Sequence, residues 1–458
     1  MTALGHHGGM LRARSPRLIY IFGALGGLNW GYDTGVISAA LVYLRRDFEL
    51  SSWAEGGVVT ALALGAVLGA ALGGRLSDAC GRRVVLMITA ALFTLAPIGM
   101  ALSPNTETLF GFRLMVGLGT GLAAVVLPVY LSEMSPRKIR GRVTAFYVLA
   151  IVIGQFLGFL IGVAFAPMES WRWMLGLSVV PSLLFALGLL AVRETPRWLV
   201  RQGREQEALQ LLLRDRSPEE ARGELEDIHT VQQQEERDGV RGLRALAQRW
   251  VLAILLIGFG LGVFQQIMGI NAVLYYAPTT LQNVGFSDEG AIASNLIIGA
   301  LNILAVWVAI TYTDRWGRRP MLLVGAAGTA ISLAVLAAVN LSMPVPDGFG
   351  PLGIITLTCL GVFIFLFQVS WGALVWVVLG EIFPLGVRAA AMGVVTAAHW
   401  VANGLVSLFF PTVLAAFGVG WVFAGFAGIC AAAFLFTWAK VPETKERSLE
   451  QIEQSFRR

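Results

Sequence analysis

"GGRLSDACGRR" at residues 73–83 returns as "TYTDRWGRR" at 311–319, setting Asp78 against Asp314, Gly81 against Gly317, and Arg82–Arg83 against Arg318–Arg319. A second stretch, "LSEMSPRKIRG" at 131–141, returns as "LGEIFPLGVRA" at 379–389. It aligns Glu133 with Glu381, Pro136 with Pro384 and Arg140 with Arg388. "RETPRWL" at 193–199 has an echo in "PETKERSL" at 442–449. Three matched pairs in one order mean a duplicated unit, and a repeat of this length decides the architecture before any local feature does.

The sequence around these pairs is strongly apolar. Apolar residues make up 56% of the 458 residues and charged residues 14%, with a mean hydropathy of +0.70, against about 25% charged in an ordinary soluble domain. A chain this apolar cannot hide its surface from water, so lipid must cover much of it. A bilayer core takes about 20 apolar residues per helix. Twelve such stretches occur: 18–42, 54–77, 84–103, 108–131, 143–166, 173–192, 250–276, 290–312, 320–342, 351–380, 389–411 and 415–438. The first is too long for a signal peptide, is interrupted by Asp33 and lacks a cleavage site.

The expected fold is therefore an all-α membrane protein with twelve transmembrane helices in two pseudo-symmetric six-helix bundles. Residues 1–192 form the first bundle, 193–249 a cytoplasmic helical linker, 250–440 the second bundle and 441–458 a cytoplasmic tail. Within the linker, "REQEALQLLLRD" reads as a short amphipathic surface helix. Parallel repeats of this kind let two halves of a secondary transporter rock about a central site. Gly65, Gly69 and Gly73, at four-residue spacing among 53 glycines, form a helix-packing face.

Basic residues set the orientation. Arg82 and Arg83 follow the second stretch; Arg137, Lys138, Arg140 and Arg142 the fourth; Arg315, Arg318 and Arg319 the eighth; and Arg388 the tenth. Arg12, Arg14 and Arg17 lie in one tail and Lys440, Lys445 and Arg447 in the other, while alternate loops hold mainly Arg45, Arg46 and Arg172. Both termini are expected in the cytoplasm, at the inner membrane of the cell. The net charge of +5 comes from this bias and does not call for nucleic acid. Cys80, Cys359 and Cys430 make no disulfide framework.

Together, "GRLSDACGRR", "RETPRWL", "QQIMGIN", "EIFPLGVR" and "PETKERSLEQIE" resemble the major facilitator superfamily and, within it, the sugar porter family, over essentially the whole chain. In pattern the chain is most similar to the bacterial proton-coupled members. The resemblance implies alternating access and a monosaccharide or polyol substrate: a hexose, a pentose or a related compound. A monomer without cofactor in the lipid bilayer is expected. The acids Asp78, Glu133, Asp314 and Glu381 sit at helix ends beside Arg82, Arg83, Arg140, Arg318, Arg319 and Arg388. The resemblance makes these a salt-bridge lock, with cross-half pairs that hold the cytoplasmic side closed.

Polar residues inside the stretches are costly in lipid and mark function. Gln265 and Gln266 open "QQIMGIN", and an ideal helix would turn Asn271 away from them. A break at Gly269 would bring the three amides into one cavity. Amides suit a polyol because each both donates and accepts. The resemblance makes Gln265, Gln266 and Asn271 sugar contacts, with Tyr275 and Tyr276 near the outer gate. Gln368, Gly372 and Trp376 share one helix face, and a Trp ring can stack on a pyranose while its N–H donates. Trp376 matches the family's sugar-site tryptophan, and His399, Trp400, Asn403 and Asn302 align with further contacts. Two departures stand out. Val148 replaces a usual glutamine, with Gln155 two turns along the same face able to serve instead, and Ala373 replaces a proline.

Asp33 lies in "NWGYDTGVIS", where an ionised carboxylate needs a partner, and Arg113 is the natural one. Asp33 is expected to carry a symported proton whose release Arg113 biases; proton-coupled relatives have aspartate here and facilitative ones asparagine. Other classes fit less well. There is no metal-spaced His/Cys cluster, nucleophile elbow or phosphate loop, so an enzyme is not expected. The short tail after "PETKERSLEQIE" argues against a sugar sensor, and a proton-independent uniporter is the main alternative.

Overall fold

The structure, a computed structural model, describes residues 17–135, 140–214, 216–238, 248–346, 348–384 and 387–445. Arg12, Arg14, Arg137, Lys138 and Arg447 lie outside these residues, and so do the side chains of Arg140, Arg142 and Asp314. Among the described residues there is no β-strand.

Among the described residues, ten helical segments are long and apolar enough to cross a membrane. The last, Ala390–Lys440, is 51 residues long and turns back at Gly418, where φ is 75°. It supplies spans 11 and 12, and the 31-residue helix Arg17–Asp47 supplies span 1. Spans 2 to 5 are Ser52–Cys80, Arg82–Ala101, Thr106–Met134 and Arg140–Phe165. Span 6 is built from Trp171–Gly176 and Val179–Ala191, and span 7 from Arg249–Ile267 (7a) and Ile270–Gln282 (7b). Spans 8 and 9 are Asp288–Trp316 and Arg318–Ser342, and span 10 runs from Pro351 to Ile382. The result is two six-helix bundles joined by linker helices.

Local chemistry starts these helices. Ser51, Asn105 and Ser287 accept from the backbone N–H groups of Ala54, Thr108 and Gly290 at 3.2, 2.9 and 3.2 Å. A capping side chain satisfies one of the donors that every helix start leaves free. Spans 2 and 4 touch backbone to backbone: a Cβ at Gly65 or Gly69 would overlap a carbonyl oxygen of Leu114 or Leu118. Two of the three glycines of the expected packing face thus have a steric reason. Gly73 meets only the side chains of Val125 and Val126, at 3.4 and 3.6 Å.

The helices are interrupted at three points, of which the sequence reading anticipated the one at Gly269. Spans 11 and 12 are one helical run bent at Gly418 rather than two helices parted near residue 412. Span 7 is longer than expected and interrupted after Ile267. Span 10 carries a π-helical turn, Gln368–Gly372, just before Ala373. Each lies where a local backbone conformation, invisible to hydropathy, changes the helix without ending the apolar run.

In the linker, Pro196–Arg201, Glu205–Leu212 and Pro218–Asp238 are helical. Leu199, Val200, Ala208 and Ile228 make a small apolar core of their own, which gives the amphipathic segment its buried face.

The halves meet along spans 2 and 11, 5 and 8, and 1 and 7b. On the face away from the linker, Arg46 pairs with Asp288, and Asn295 donates to the Ser38 hydroxyl at 3.0 Å. Thr60 donates to the Gly404 carbonyl at 3.0 Å. These contacts close that face.

Candidate functional site

Gly269 stands between the two parts of span 7 with φ 97°, a backbone region that L side chains rarely adopt. The break re-aims span 7b, and the amide of Asn271 turns back to donate to Gln266 Oε1 at 2.6 Å. Gln266 Oε1 also accepts from Asn403 at 3.0 Å, and its Nε2 lies 3.2 Å from His399 Nε2. Span 7 and span 11 are thereby tied through one amide. Gln265, its neighbour, donates to the Trp371 carbonyl at 3.0 Å. That carbonyl belongs to the π turn of span 10, where i→i+5 bonding leaves carbonyls outside the ordinary ladder. Trp371 is pinned in turn by its indole N–H, which donates to the Leu322 carbonyl at 3.0 Å.

The aromatic side of the site is continuous. Trp376 meets the His399 ring edge-on with centroids 5.2 Å apart, His399 meets Trp400 at 5.7 Å, and Trp400 meets Trp30 of the first bundle at 5.8 Å. Gln368 folds over Gly372, where a Cβ would overlap its amide oxygen. These two residues therefore adjoin, as their spacing predicts. From the other half, Gln155 accepts from Asn302 across the interface at 2.6 Å. Val148 is 40% exposed, whereas Gln155, two turns along span 5, is buried.

Several polar atoms here are buried yet have no partner: Gln155 Nε2, Gln265 Oε1 and Asn302 Oδ1. Buried amide groups are almost always satisfied, so these unpaired ends call for a ligand or water. Two acceptors and a donor match a polyhydroxylated molecule, whose hydroxyls both give and take protons.

Asp33 and Arg113 form a buried ion pair: both carboxylate oxygens accept from Nη1 at 2.8 Å. The residues are 5% and 1% exposed. Arg113 Nε also donates to the Val58 carbonyl at 3.3 Å. Tyr275 lies beside Asn403 and Thr34, the latter one residue from Asp33. A chain of contacts thus runs from the amide cluster to the ion pair. Tyr276 donates to the Ser407 carbonyl at 2.9 Å and stacks on Phe410 at 5.0 Å, on the closed side of the site.

The charges on the linker face are arranged differently from the expected cross-half lock. Arg82 pairs with Glu133 at 3.3 Å and with Asp78 at 3.2 Å, all in the first half. Arg318 pairs with Glu381 at 3.0 Å, both in the second. Arg388 Nε donates to the Phe383 carbonyl at 3.0 Å, and Arg319 to the Trp438 carbonyl at 2.6 Å. These partners lie inside one half because the halves seal on the opposite face.

Sequence reasoning passed over two residues on this face. Glu194 accepts from the backbone N–H groups of Arg82 and Arg83, each at 3.0 Å. Glu443 does the same for Arg318 and Arg319, each at 3.1 Å. Each carboxylate caps a helix N-terminus, where the dipole favours an anion. Burial alone would push the Glu443 carboxyl up, but the amides of Lys445, Arg318, Arg319 and Thr444 outweigh it and hold it below the usual carboxylate range. The echo between "RETPRWL" and "PETKERSL" was the available signal.

The chain matches the family model for "Sugar (and other) transporter" over residues 19–456. A putative metabolite transport protein of Bacillus subtilis is 43% identical over 447 residues, which cover 98% of this chain and 96% of that protein. A D-xylose transporter of Levilactobacillus brevis is 38% identical, covering 98% of this chain and 97% of its own. The inward-open structure of the xylose transporter of E. coli superposes with a TM-score of 0.83 at 30% identity. The match covers 96% of this chain and 100% of that one.

Proposed function

The chain belongs to the sugar porter family of the major facilitator superfamily, and from that premise we propose that it imports a monosaccharide or related polyol together with a proton. It would work as a monomer in the inner membrane, with the linker and both termini in the cytoplasm. The observation that carries the substrate class is the trio of buried, unpaired amide atoms on Gln155, Gln265 and Asn302. Hydroxyls entering from the linker side satisfy them without burying charge, and Trp376 offers the ring its apolar face.

Asp33 supports the coupling. Its ion pair with Arg113 is buried, and protonating a buried carboxylate releases the arginine it holds. Through Tyr275 and Asn403 that release is transmitted to Gln266. The closed face and the within-half pairs on the linker face correspond to an inward-facing carrier. In the outward-facing state the same arginines and acids, with Arg140 and Asp314, would pair across the halves.

A uniporter is the second reading, favoured by the completeness of the bidentate pair, which a purely structural role would also produce. Uptake into proteoliposomes by a panel of hexoses, pentoses and polyols, with and without an inward proton gradient, separates the two. Asp33→Asn is expected to abolish accumulation above the outside concentration while leaving sugar exchange. Uphill uptake that survives in Asp33→Asn removes the coupling role, and the absence of saturable uptake of any sugar or polyol removes the substrate class.

A further inference from the structure

Glu55 plays no part in the proposal above. It sits in the first turn of span 2, on the closed face, where span 2 presses on span 11. A Cβ at Gly56 would overlap the Leu408 carbonyl oxygen, and the Trp53 ring meets Phe409 at 5.7 Å. One turn deeper, the Thr60 hydroxyl reaches Gly404. In this seam Glu55 is 3% exposed, and its Oε1 has no hydrogen-bond partner. Thr280 of span 7b and Ser407 of span 11 each bury an unpartnered hydroxyl oxygen as well.

An ionised carboxylate left partly unsatisfied away from water is strongly disfavoured. A proton removes the charge and turns the acceptor into a donor. The surrounding charges do not cancel this. Arg45, at the end of span 1, and the Tyr276 phenol of span 7b are close enough to act on Glu55, but neither is hydrogen-bonded to Oε1. Span 4 brings Arg113, which is held by Asp33 and the Val58 carbonyl. Span 11 has no titratable side chain between His399 and its end at Gly418.

We infer that Glu55 is a second protonation site, separate from Asp33, which takes up a proton when the halves close over this face and gives it back when the seam opens to water. The closed form binds the proton more tightly, so by linkage acid favours closure of this face and alkali favours opening. Each tenfold difference in proton affinity between the two forms gives up to a tenfold shift in the open-to-closed ratio.

The test uses the full chain in nanodiscs, with spin-label pairs bridging the ends of spans 2 and 11 on this face. All variants carry Asp33→Asn, so the outcome does not depend on the role proposed for that residue. The open fraction is expected to rise with pH. Adding Glu55→Gln should hold it near its acid value throughout, about a tenfold or greater loss of the pH response. Adding Arg45→Gln instead should move the midpoint to higher pH, because loss of the cation favours the neutral carboxyl. An opening that keeps its pH dependence in Glu55→Gln overturns the inference. So does an opening that follows sodium concentration at constant pH, which would make the seam a metal-cation site.

Discussion

At Gln266 a single carbonyl oxygen accepts from Asn271 and Asn403 while the amide nitrogen faces His399. With Asn271 and Asn403 donating to its oxygen, the Gln266 amide nitrogen is left to face the His399 ring. Gln266→Ala would strand three partners. The expected cost is about 1–3 kcal/mol, read as a roughly 10- to 100-fold weaker apparent sugar affinity in an uptake titration. A variant with unchanged affinity would place the sugar elsewhere. The residue types at this site were legible in the sequence because amides, tryptophans and an acid stand out in apolar stretches. Arg113 could be named for Asp33, but the partners of the amides could not. Gln155 and Asn302 are 147 positions apart, and no periodicity along one helix reports a hydrogen bond to another.

Among the elements, the helix breaks decide what the site can do. Gly269 was readable as a break because a glycine beside three amides has an evident use. The π turn at Gln368–Gly372 was not, since it inserts no special residue and leaves the apolar run intact. Its effect is to free the Trp371 carbonyl for Gln265. Helix starts on the linker face follow a different rule, in which Glu194 and Glu443 close the hairpins of spans 2–3 and 8–9 from outside. Glu443 titrates below its ordinary value of 4.5, so its contribution is present above that pH and is lost as acid protonates the folded form. Glu443→Gln should lower stability in detergent by about 1–3 kcal/mol near neutral pH. The gap to the unmodified protein should shrink only as pH falls below about 4.5, through the lowered folded-state value. A pH-independent gap would mean that the charge is not what the cap uses.

For the whole molecule, the duplicated motifs were enough to fix two bundles, because each copy repeats the same acid, glycine and arginine pair at the same helix end. Which face of the interface is shut could not be read there, since one sequence serves both states. The seam at Ser38 and Asn295 offers a direct check. With Cys80 replaced by Ser, the pair Ser38→Cys and Asn295→Cys should cross-link on oxidation and stop uptake, and a reductant should restore it. Uptake that continues through a formed cross-link would show that this face need not open. The Gln155–Asn302 bond also crosses that interface. On the proposed function it would give both amides a partner as the carrier resets, in place of a sugar hydroxyl. Net delivery of solute, as opposed to one-for-one swapping, depends on that return stroke, and this small polar bridge is where its speed can be tuned.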